Sequence, residues 1–135
     1  MSTSPRRSIL LFLLSATDAS ATLNANADKL KAMVGASIKQ ATAHGFDIAA
    51  IELNPGKDSL DASMEKLGEK LQSQHWDGFL IGFAVRGNKE QTPVFEAAVN
   101  LAARKAVPTG TKLLFGNAPD DLMVTLERNF VVVKE

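Results

Sequence analysis

Two kinds of apolar spacing alternate along the chain. Short, nearly continuous hydrophobic runs bounded by turn residues occur at Ile9 to Leu14, Phe46 to Leu53, Gly78 to Val85, Lys112 to Phe115 and Phe130 to Val133. Such runs suit strands of a parallel sheet buried on both faces. Between them, apolar residues recur every three or four positions, the spacing of one helix face. Leu23, Ala27, Leu30, Val34, Ile38 and Ala41 form the first such series, closed by Gly45 as a C-cap. Leu60, Met64, Leu67 and Leu71 form the second, after Asp58 or Ser59 as N-cap, and Gln72 to His75 finishes it. Thr92 and Pro93 open a third, with Phe95, Ala98, Val99, Ala102 and Ala106 inward, and Asp121 to Asn129 forms a short fourth helix. Ser15 to Ser20 reads as a polar loop, Asn54-Pro55-Gly56 as a turn, and Gly116 to Asp120 as the exit from the fourth strand.

Strands alternating with helices in this way predict an α/β fold. Right-handed crossovers place helices on both faces of a five-stranded parallel sheet, a three-layer, doubly wound arrangement. At 135 residues the expected strand order is the flavodoxin-like 2-1-3-4-5, with residues 1–135 as one domain and 1–8 as a flexible tail. No internal repeat or interdomain linker is apparent.

The first apolar run has a second interpretation. Arg6 and Arg7 ahead of Ile9 to Leu14, with Ala19-Ser20-Ala21 behind, outline a secretory signal, and the paired arginines partly match a twin-arginine signal. The run is short for a signal and supplies the sheet's central strand, so a strand in a cytoplasmic protein is expected. No segment is long enough to span a bilayer.

Composition narrows the chemistry. Lysine plus arginine equals aspartate plus glutamate at 15 each, which leaves no global field to gather nucleic acid or an anionic membrane. The basic residues are scattered, and tyrosine is absent, so a base-stacking platform is not expected. Without cysteine there is no disulfide, thiol nucleophile or thiolate metal site. His44 and His75 match no metal-ligand spacing and suit helix ends at the amino edge of the sheet, so no metal is expected. Gly-x-Gly-x-x-Gly, Walker-type and Gly-x-Ser-x-Gly motifs are all missing.

In a doubly wound sheet ligands lie beyond the carboxyl ends of the strands, where the winding reverses, here between strands one and three. Two loops converge there. The first carries Ser15, Thr17, Asp18 and Ser20 ahead of a helix amino terminus, and the second carries Arg86 and Asn88 around Gly87. Asn117 lines the neighbouring exit loop. These residues predict a site for a small anionic or polar ligand. Each also has a structural role open to it: Arg86 as ion-pair partner of Glu52, Glu90 or Asp120, and the others as turn and cap residues.

The stretch Trp76-Asp77-Gly78-Phe79-Leu80-Ile81-Gly82, continuing through Arg86-Gly87-Asn88 to Thr92-Pro93-Val94-Phe95-Glu96 and Asn100, resembles a family of short uncharacterised single-domain α/β proteins of fungi and bacteria. The resemblance covers about a fifth of the chain. It implies a single flavodoxin-like domain, marks the Arg86 loop as distinctive and assigns no reaction or cofactor. Two alternatives stand beside ligand binding. One is a non-enzymatic homodimer built on a helix face or on the edge strand Phe130 to Val133. The other is a flavin-binding redox protein, whose phosphate loop Ser15 to Ser20 resembles without its glycine and asparagine.

Overall fold

A computed structural model describes residues 6–23 and 26–132. The first run becomes β1 (Arg7–Leu14), hydrogen-bonded in parallel to β2 (Phe46–Leu53) on one side and to β3 (Gly78–Ile81) on the other. β3 in turn pairs with β4 (Lys112–Phe115). The described sheet therefore has four parallel strands in the order β2-β1-β3-β4. The β1 run pairs along its whole length with β2, from Arg7 opposite Phe46 to Leu14 opposite Leu53.

Side chains alternate across a strand, so β1 feeds two apolar clusters. Leu10, Phe12 and Leu14 pack with Leu67 and Leu71 of α3 (Leu60–Gln72) and with Ala98 and Ala102 of α5 (Thr92–Lys105). Ile9 and Leu11 pack with Ala41 of α2 (Ala27–Ala43) and with Leu122, Met123 and Leu126 of α6 (Leu122–Asn129). Asn26 caps α2 by accepting from the amides of Asp28 and Lys29, and Ser59 caps α3 by accepting from Ala62. Gly45 follows α2 at φ 98°, the left-handed conformation that turns the chain into β2.

Four expectations change. Residues 16–23, read as the tail of a loop and the start of a long helix, form a helix of their own, α1 (Ala16–Leu23). Ser15 and Asp18 explain it, because the sequence Ser-x-x-Asp closes on itself as a capping pair at the helix start. The third strand stops at Ile81 rather than Val85. Gly82 still donates to Phe12 O at 3.0 Å, and then Val85 and Arg86 both turn back to the Gly82 carbonyl, making the single helical turn α4 (Phe83–Arg86). An apolar sequence cannot reveal this change, since the turn buries Ala84 and Val85 as a strand would.

The last two concern the ends. β1 begins at Arg7, inside the expected tail of residues 1–8, and Arg6 is tied to β2 through Asp47 at 2.7 Å. The expected fifth strand is not formed over residues 130–132, while Val133 lies outside the described residues. Phe130 instead packs on Phe46 with ring centres 6.0 Å apart. The cations of Arg7 and Lys112 lie 5.3 and 5.0 Å from its ring, and they donate to the carbonyls of Val131 and Asn129. This clamp holds Phe130 at the amino ends of β1, β2 and β4.

Candidate functional site

Above the carboxyl halves of β1 and β3, where the strand order reverses, lies a cleft of about 330 Å³. Its floor is Leu11, Leu13 and Leu80 of the sheet with Gly82 just beyond β3, and α2 covers it with Leu30, Val34 and Ile38. Ala16 and Ala19 of α1, Phe83 of α4, and Pro119 with Leu122 around the start of α6 complete the walls. The lining is mainly apolar. Lys31, Glu52 and Asp121 bring charge of both signs to it, and Ser37 spends its hydroxyl on Pro119 O at 3.3 Å.

Gly35 is the telling residue in this lining. It sits inside α2 between Lys31 and Ile38, and a Cβ built on it would meet no atom within 4 Å. A glycine there costs the helix about 1 kcal/mol relative to alanine, with no steric need inside the protein. It leaves the cleft open on the α2 side. An isolated glycine within the helical series Leu30 to Ala41 was the signal in the sequence for this wall, and apolar periodicity alone passes over it.

The sequence-predicted residues do not converge on the cleft. The Ser15 hydroxyl donates to Asp18 Oδ2 at 2.5 Å, and the Asp18 amide approaches Ser15 Oγ at 3.4 Å. Asp18 thus puts a carboxylate in the first turn of α1, where an anionic ligand would need to sit. Thr17 is exposed, and its carbonyl accepts from Ser20. Asn88 caps the 3₁₀ turn at Lys89–Gln91 by accepting from the Glu90 amide at 3.0 Å.

Arg86 and Asn117 do come together, but beside β4 rather than between β1 and β3. Arg86 donates from Nε to Gly116 O at 3.3 Å and from Nη2 to Asn117 Oδ1 at 2.6 Å. Its guanidinium lies 5.3 Å from the Phe83 ring centre. None of Glu52, Glu90 and Asp120 forms an ion pair with it among the described residues. The Arg86 side chain, with Arg128, Phe95, Phe115 and Asn117, lines a second, open recess over the end of β4. Sequence reasoning missed Arg128, Phe95 and Phe115 as neighbours of Arg86, because only the turn at Gly82 and the docking of α6 bring them near.

Among the described residues no group of three or more histidine, aspartate and glutamate side chains could hold a metal ion, and no helix is long and apolar enough to cross a membrane. Comparison of the chain with family models, with curated proteins and with solved structures finds no match.

Proposed function

We propose that the protein binds a small organic molecule with an apolar body in the cleft at the carboxyl edge of β1 and β3. The observation that carries this reading is the open, mainly apolar cleft at the strand-order reversal, with exposed Gly35 at its rim. Its volume falls at the low end of the range of ligand sites, which suits a small guest. The ligand class shifts from polar or anionic toward apolar because Ser15 and Asp18 satisfy each other and Asp18 repels anions. Helices packed against both faces of the parallel sheet support a three-layer, flavodoxin-like winding for the domain. A flavin finds less support, since Phe83 is the aromatic side chain in the lining and no phosphate cradle precedes α1.

The test uses N-phenyl-1-naphthylamine, an uncharged dye whose fluorescence rises in apolar surroundings. Wild-type protein is expected to give a saturable one-to-one enhancement. Gly35→Leu, at the exposed rim of the cleft, is expected to weaken it without lowering the melting midpoint, because the new side chain meets open space and favours the helix. Absence of saturable enhancement in wild type would show that the cleft is not a binding site.

A further inference from the structure

The recess over the end of β4 is built differently from the cleft, and Gly116 and Asn117 lie between the two. We propose that it is a separate site for an oxyanion carried on a flat ring, an aryl carboxylate or aryl phosphate.

Two guanidiniums meet there from different elements. Arg86 comes from α4, while Arg128 comes from the last turn of α6 and donates to Phe115 O at 3.3 Å. Every acceptor they use is neutral: the carbonyls of Phe115 and Gly116, and the side-chain amide of Asn117. Neither has a carboxylate in ion-pair distance among the described residues; the nearby Asp121 carboxylate is engaged by the Asn117 backbone amide at 2.9 Å, so both guanidiniums face the recess without a direct anionic partner. An anion entering the recess is attracted by both. The bonds they do make leave donors over. Arg86 commits one Nε–H and one Nη2–H, and the remaining edge of its fork is the part that suits a carboxylate or phosphate. Contacts to the main chain and to Phe83 fix the fork in advance, which lowers the ordering cost of binding.

The ring follows from the rest of the lining. Phe95 and Phe115 stand with centres 6.0 Å apart and planes tilted by 58°. They give the recess an apolar wall beside its two cations, the combination that holds a flat apolar body with an anionic head. Inorganic phosphate alone would leave that wall unused.

The test follows the Arg86 and Arg128 Nε–H signals and the Phe115 and Asn117 amides by ¹H–¹⁵N correlation spectroscopy. Benzoate, phenyl phosphate, inorganic phosphate and benzyl alcohol are titrated separately. Both aryl anions are expected to shift these signals saturably, more tightly than inorganic phosphate, and benzyl alcohol at least about tenfold more weakly. Whichever aryl anion binds tighter identifies the head group. Arg128 is exposed, so Arg128→Gln should fold normally and weaken both aryl anions by about tenfold, the loss of one charge-assisted contact. Phe95→Leu should weaken the aryl anions and spare inorganic phosphate, and Gly35→Leu should change nothing here. Unsaturable shifts with both aryl anions, or equal affinity in wild type and Arg128→Gln, overturn the anion site. Equal affinity for phenyl phosphate and inorganic phosphate overturns the ring.

Discussion

Thr125 Oγ1 lies in the core of α6 at 0% exposure, and among the described residues it has no hydrogen-bond partner. A buried hydroxyl without a partner loses its water and gains nothing in return, at a cost of about 1–3 kcal/mol. Valine has nearly the same shape and no such cost. Thr125→Val is therefore expected to raise the unfolding free energy by about 1 kcal/mol, read as a higher urea midpoint at unchanged slope. A lower midpoint would mean that the hydroxyl has an acceptor in the native state. The same logic of unmet groups separates the predicted site residues: Ser15 and Asp18 satisfy each other, while Arg86 and Arg128 keep donors that their bonds to Gly116, Asn117 and Phe115 do not use.

At the scale of elements, β1 and β4 formed where the apolar runs Ile9 to Leu14 and Lys112 to Phe115 place them, because a run of that kind has few alternatives to a buried strand. β3 was legible only as far as Ile81, and the terminal run Phe130 to Val133 misled, since hydrophobicity records that a residue will be buried and not which surface will bury it. Phe130 meets Phe46, Arg7 and Lys112, from three strand beginnings far apart in sequence. That Arg86 and Asn117 lie on neighbouring loops was legible, and the partners they meet there were not, for the same reason of long-range docking. The clamp also makes a prediction. Phe130→Ala removes the ring from both cations and from Phe46, and should destabilise by about 2 kcal/mol, below the usual 3–5 for phenylalanine because this ring is only half-buried. Phe130→Leu should recover most of the packing but not the cation contacts, so chemical denaturation of the pair separates the two contributions. Equal stability of Phe130→Ala and wild type would mean that the tail contributes nothing to the fold.

In the whole molecule, the order β2-β1-β3-β4 gives β1 and β3 two hydrogen-bonded neighbours each and leaves β2 and β4 at the edges. The cleft floor is thus the part of the sheet held from both sides, while its cover is α2 with α1, next to the segment at Asn26 that joins them. Local opening draws on the less connected parts of a fold, so native-state amide exchange should be slowest in β1 from Ile9 to Phe12 and clearly faster in α1. A guest in the cleft binds the closed cover and not the opened one. Saturating N-phenyl-1-naphthylamine should therefore slow exchange in α1 and α2, by a factor that grows with dye concentration over its dissociation constant. At a hundredfold excess the shift for segments that open to release the dye is about 2.7 kcal/mol, or roughly a hundredfold in rate. β1 amides that exchange only by global unfolding should slow by the same factor, since complete unfolding also releases the guest. Slowing confined to β1, with α1 and α2 unaffected, would mean that these helices open without releasing the guest and so do not hold it in place.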